Sequence, residues 1–221
     1  MWGTSLQEVC LYNPEHFVEN DLGKLHAAIE HVGFGALVLA TESGLEANHV
    51  PFQLDRAAGE FGTLRCHVAR NNDAWWHPGA KCLVIFQGPS AYISPSFYAS
   101  KKEHGKVVPT YNYVAVHAHG RITVYEDHKW LRALVGHLTH RYETPRPQPW
   151  KMGDAPQDYL EEMLGKIVGL EIPIARLEGK WKMSQNRSAA DRVGVVEGLG
   201  DSEKAIEREV AAIVKERIVG N

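Results

Sequence analysis

Cysteine is scarce in this chain: there are three in 221 residues. Cys10, Cys66 and Cys82 are an odd set without CxxC spacing, which argues against a disulfide framework or a structural zinc site and predicts buried, reduced thiols. Long apolar runs are missing as well. Nothing approaches the roughly 20 residues that a membrane-spanning helix requires, and no signal-peptide pattern opens the chain. The expectation is a cytoplasmic protein with no membrane partner. Neither sign of charge dominates, with 24 Lys plus Arg against 27 Asp plus Glu, so no global positive field draws the chain onto nucleic acid, and any DNA contact has to be local. The loops GxGxxG and GxxxxGK[ST] are absent, which disfavours a Rossmann dehydrogenase or a P-loop NTPase. GxSxG is absent too, so no nucleophile elbow nominates a hydrolase.

What is present is a core. The apolar content is 44%, enough for a globular fold. Asn13-Pro14 predicts a short helical start running to about Glu19. Asp21 as a cap, apolar residues at Leu22, Leu25, Ile29 and Val32, and Gly33 as a stop predict an amphipathic helix over 22–32. From Phe34 the period changes. FGALVLAT, LEANHVPFQLD and FGTLRCHVA read as three antiparallel strands separated by turns. KCLVIFQG and AYISP add strands, and YNYVAVHAHGRITVYE adds a long one, bent at Gly120. Helical spacing returns over 128–142, and TPRPQPW, with prolines at 145, 147 and 149, predicts an extended connector. A helix over about 156–166 precedes a last strand, VGLEIPIARLEGKWKM, whose central proline favours an edge or a bulge. Ile206, Val210, Ile213, Val214 and Ile218 predict an amphipathic C-terminal helix over about 202–218. Strands in succession, with helices at the ends, predict a mainly β fold with peripheral helices, an antiparallel barrel in a single domain over 1–221.

The most informative stretch is SKKEHGKVVPTYNYVAVHAHG, residues 100–120. It feeds Lys101, His104, Lys106, Thr110, Tyr111 and Asn112 straight into a strand that carries His117 and His119. Cations, imidazoles and hydroxyls gathered at one mouth of a β-rich core suggest a site for an anionic ligand. The same run also reads as a solvated turn. His117 and His119 are two apart and share a face, yet no third metal ligand is fixed by spacing.

Several segments in order, among them His67-Val68-Ala69-Arg70-Asn71, Ile85-Phe86-Gln87-Gly88-Pro89, Glu103-His104-Gly105-Lys106 and Glu178-Gly179-Lys180-Trp181-Lys182-Met183-Ser184-Gln185-Asn186-Arg187, carry a family resemblance. The chain resembles the PaiB-type family of FMN-binding negative transcriptional regulators. The resemblance implies an FMN-binding split β-barrel, usually a homodimer with flavin at the subunit interface, and no metal.

Placed on this sequence, the resemblance puts the flavin ring along Asn48, His49 and Val50, read through backbone groups. FMN also brings a phosphate dianion, for which Arg70 and Asn71 at a strand end are the first candidates, helped by His67 beside Val68 and by Lys81. Lys182, Ser184, Gln185, Asn186 and Arg187, polar immediately after the last strand, would complete the pocket from the second subunit. Arg70 at a strand end is also an ordinary salt-bridged surface residue. Lys101, His104, Lys106 and Thr110 would cover the ligand or touch DNA. No basic tail or helix-turn-helix is legible, so two readings stand. One is an FMN-binding homodimeric repressor acting through a local basic patch. The other is a flavin-dependent oxidoreductase, a reductase or oxidase, whose regulatory effect is indirect.

Overall fold

The computed structural model describes residues 11–219, so Cys10 lies outside it. In chain order the elements are β1 (Val18–Glu19), α1 (Leu22–Val32), β2 (Phe34–Thr41), β3 (Gly44–Pro51), β4 (Gln53–Asp55), β5 (Thr63–Ala69), β6 (Lys81–Ile93), α2 (Ser100–His104), β7 (Thr110–Arg121), β8 (Thr123–Tyr125), α3 (His128–Glu143), α4 (Gln157–Leu164), β9 (Ile167–Lys182), α5 (Ala189–Gly200) and α6 (Ala205–Val219). The strands are ordered β3-β2-β6-β7-β9-β5-β4, and β1 and β8 also pair with β9. The chain clusters into two compact units. One comprises residues 21–86 and 116–177; the other comprises the described residues up to Asn20, residues 87–115, and those from Glu178 onward. β6, β7 and β9 run through both.

In the first unit, α1 has the predicted ends. Asp21 accepts from the Lys24 amide at 3.0 Å, and Gly33 closes the helix at φ 64°, a left-handed conformation that glycine adopts without a Cβ penalty. β2 and β3 form an antiparallel hairpin, with Phe34 opposite Pro51 and Thr41 opposite Gly44. Their alternation turns Leu37 and Leu39 into the core, as a period of two requires. β5 does the same with Leu64, Cys66 and Val68 and pairs antiparallel with β9. Cys66 and Cys82 are free and buried. In α3, capped by Asp127, Leu131, Leu134 and Leu138 face inward. Trp130 lies flat on Tyr125, ring centroids 4.6 Å apart, and its ring fills the space where a Cβ on Gly169 would sit.

Pro173 departs from expectation. β9 is flanked by β7 and β5 rather than lying at an edge. The proline is tolerated because it faces Thr63, the first residue of β5, and the chain resumes bonding at once, with the Ile174 amide donating to the Gly62 carbonyl at 3.0 Å. A missing N–H costs little where a ladder ends.

In the second unit, the predicted helical start is one 3-10 turn, Glu15–Phe17. Val18 and Glu19 then pair with Lys180 and Gly179. The C-terminal helix begins at Ala205 and buries Val210, Ala211 and Val214, while Ile206 is exposed. Arg217 ties it to Glu19 at 2.6 Å. An additional helix, α5, precedes it. Its glycines hide it from a propensity reading, but Gly194 and Gly198 are the positions against which Phe97 packs. Ser188 caps it by accepting from the Asp191 amide.

Candidate functional site

Within the first unit, β3 ends the strand order, so the backbone groups on its side away from β2 are outside the ladder. Val50 is buried, and His49 stacks loosely on Phe34 with centroids 6.4 Å apart. Asn48 accepts from the Asn72 amide at 2.7 Å. Around this bond an open cleft of about 330 Å³ is lined by Glu46, Ala47, Asn48, Asn71, Asn72 and Asp73. Asn48 and Asn71, which the sequence reading gave to the ring and to the phosphate of the ligand, thus line one cleft. The lining offers amide donors and acceptors and two carboxylates. It suits an uncharged polar edge and repels a phosphate.

The expected phosphate donors of this unit are otherwise engaged. Arg70 donates to the carbonyls of Gly165 at 2.8 Å and Ile167 at 3.4 Å and pairs with Glu126 at 2.6 Å. Its guanidinium also lies 5.9 Å from the Trp75 ring centroid. His67 is pushed by burial below the usual imidazole range, so it sits neutral. Its Nδ1 and the Oε1 of Gln53 are buried without a hydrogen-bond partner among the described residues. Gln53 pairs with Arg65, two residues from His67, so the two orphaned atoms share a sheet face. Orphaned buried polar atoms await a partner, and the hydroxyls of a ribityl chain or the pyrimidine edge of a flavin would supply one. Val68 lies in the core, and Lys81 is exposed at the start of β6.

The second unit joins the two segments that stood out in the sequence. Lys182 on β9 donates to Thr110 Oγ1 on β7. Asn112, fully buried, donates to Ser184 Oγ at 2.9 Å. Ser184 holds φ 61°, the one non-glycine residue with positive φ among those described. Lys180 is only 5% exposed; its ammonium donates to the Tyr12 carbonyl at 2.6 Å and faces the Tyr12 and Tyr113 rings at 5.2 and 5.5 Å. Arg187 lies 4.8 Å from the Tyr98 ring centroid. Gln185 turns back on its own loop, accepting from the Met183 amide at 2.6 Å and donating to the Trp181 carbonyl, and Asn186 is exposed. The sequence reading singled out Lys182, Ser184 and Arg187 but passed over Lys180. The signal was there in Lys180-Trp181-Lys182, where alternation sets both lysines on one face of a strand.

Lys101, Lys102, His104 and Lys106 form an exposed cap on and after α2. Lys101 donates to Ser96 Oγ at 3.1 Å, and His104 Nδ1 accepts from the Lys106 amide at 3.0 Å. His117 and His119 stand side by side on β7, centroids 6.4 Å apart, and the Arg176 guanidinium reaches the His119 ring at 3.1 Å. No helix among the described residues is long and apolar enough to cross a membrane.

The fold has solved counterparts. A FAD and heme binding protein from Mycobacterium smegmatis superposes with a TM-score of 0.50 at 14% identity, covering 75% of this chain and 73% of that one. In sequence, an uncharacterized protein of Aspergillus fumigatus is 35% identical over 90% of both chains. Protease synthase and sporulation protein PAI 2 of Bacillus subtilis is 28% identical over 94% of this chain and 98% of its own. The family model described as "Putative FMN-binding domain" matches residues 11–176. The split-barrel and PaiB-type resemblance read from the motifs is borne out, and FMN is the cofactor that goes with it. With an antiparallel sheet of the split-barrel kind and a match spanning most of its length, the chain belongs to this FMN-binding domain family.

Proposed function

We propose that the protein is an FMN-binding homodimer that acts as a negative transcriptional regulator of the PaiB type. The observation that carries this reading is the end-to-end correspondence with the PAI 2 protein, 94% of one chain against 98% of the other. Asn48, Asn71 and the free backbone edge of β3 would hold the pyrimidine edge of the flavin. Gln53 and His67 would meet its hydroxyls through the atoms that lack partners. When bound, FMN supplies a redox centre, and the protein positions it. Phe34 and Leu45, large apolar side chains exposed on the β2–β3 hairpin, support packing against a second copy. Two-fold symmetry would double the Lys101, Lys102 and Lys106 patch into a surface for DNA phosphates.

The test combines an FMN titration followed by flavin absorbance, light scattering for the mass in solution, and retardation of the protein's own upstream DNA over a salt series. Stoichiometric flavin on a dimer, with DNA retention that weakens steeply as salt rises, supports the reading. Flavin binding with NAD(P)H turnover and no retention of DNA at any salt moves the assignment to a flavin-dependent oxidoreductase.

A further inference from the structure

We propose that Lys180, Lys182 and Arg187 form a seat for a phosphoryl dianion, built by the chain that follows the family's flavin-binding segment. That segment ends at residue 176, so none of the three lies within it. Lys180 and Lys182 project from the same face of β9. Lys182 reaches Thr110 on β7, Asn112 two residues further along bonds Ser184, and the Arg187 amide donates to the Ser184 carbonyl at 3.0 Å, so a buried lysine and two half-buried cations are gathered around one turn. Burial first, then the charges of Lys180 and Arg187, hold Lys182 below the usual lysine range. None of them is ion-paired among the described residues. Asp191 is the carboxylate that feels Arg187, and its oxygens already accept from the Ser100 amide and hydroxyl at 2.9 Å.

Cations sheltered from water without a counter-ion are costly, and crowding three multiplies the cost. Such an arrangement persists where an anion relieves it. The neutral groups around it fit the same ligand. Tyr98 is 2% exposed, and its ring lies 4.8 Å from the Arg187 guanidinium, which holds that fork in place beside the turn. Ser184 is locked in a left-handed conformation, a strain that collects at ligand clamps. Glu178, two residues before Lys180 on the same face, is occupied by the Leu11 amide and lies with His117 and His119, so the three cations outnumber the carboxylates near them, Asp191 and Glu178, and both of those carboxylates are engaged. An arginine fork beside two lysine point charges is a common way to hold a phosphoryl dianion.

Two sources share this chemistry, the phosphate of FMN and the phosphate of a separate ligand. The test uses the full-length protein and inorganic phosphate, read by phosphate-dependent thermal stabilisation and by 31P line broadening. Phosphate raises the melting temperature of the wild type, and Lys182→Gln and Arg187→Gln each weaken the apparent affinity at least about tenfold. The two variants are checked by circular dichroism, and Arg187→Lys, which keeps charge but not the fork, loses part of the effect. Riboflavin and FMN are titrated in parallel. Phosphate that competes with FMN but not with riboflavin assigns the seat to the flavin's own phosphate. Phosphate that binds without competing assigns it to a second ligand, and a protein that binds no flavin yet responds to phosphate separates this seat from the flavin reading. A wild type without phosphate response, or folded variants with undiminished affinity, overturns the proposal.

Discussion

Asn112 and Ser184 are joined by a bond buried from water, amide to hydroxyl at 2.9 Å, with the Ser184 hydroxyl returning to Asn112 Oδ1 at 3.3 Å. The pair fastens the first residues of β7 to the turn that follows β9, and it holds a serine at φ 61°. Ser184→Ala keeps the left-handed backbone and orphans a buried amide, at an expected cost of about 1–3 kcal/mol. Ser184→Gly loses the same bond but relieves roughly 1 kcal/mol of backbone strain. Urea unfolding should rank wild type above glycine above alanine, and an alanine variant as stable as glycine would remove strain from the account.

Arg70 joins β5 to the chain entering β9, through the carbonyls of Gly165 and Ile167. Its pairing with Glu126 is exposed on both sides and adds little. Arg70→Ala should lower stability by roughly 1–2 kcal/mol and leave FMN affinity within about twofold of wild type. A larger loss of FMN affinity in a normally stable variant would return Arg70 to the phosphate site that its position in the sequence suggested.

His67 gives stability a pH dependence. Burial sets its folded value below the ordinary 6.5, so on acidification the unfolded chain takes up the proton first. The contribution is fully present above about pH 6.5 and is lost as the pH falls through the folded value. His67→Gln should flatten this part of the profile. Urea midpoints for both proteins between about pH 8 and 5 measure it, and parallel slopes would contradict the assignment.

Asn48 tests the uncharged end of the flavin site. Asn48→Ala removes the partner of Asn72 and should weaken FMN by about 0.5–1.5 kcal/mol, with riboflavin weakened equally because the contact does not involve phosphate. Parallel titrations of the two flavins provide the check.

Burial leaves cysteine reactivity low in the folded chain. The Cys82 thiol is pushed up to about 12, and Cys66, fully buried, is shifted in the same direction. Neither should be alkylated near neutral pH until the protein unfolds, which peptide mass mapping resolves residue by residue.

Much of the β architecture was legible because burial alternates along the strands. Leu37 and Leu39, and Leu64, Cys66 and Val68, mark one face each. Helix α1 was legible from its ends, Asp21 and Gly33. α5 was not, because Gly194 and Gly198 read as breakers until Phe97 is seen packed against them. Pro173 misled for a related reason: whether its missing donor matters depends on where the neighbouring strand begins. At the site, residue type pointed to ligands but not to which donors were already engaged. Arg70 and Lys182 look alike in sequence. Only their surroundings separate a guanidinium bonded to carbonyls from an ammonium crowded by other cations.

The pairing of β1 with β9 sets Val18 opposite Lys180, and this fixes a timetable for synthesis. β7, β5, β8 and β1 all have an edge that waits for β9, which leaves the ribosome roughly 10–30 s after β1 at ordinary elongation rates. Until then the edges that β9 will fill are open to other chains. A nascent chain stalled before residue 167 would lack the strand on which four others close, and chaperone demand should fall sharply once that strand emerges.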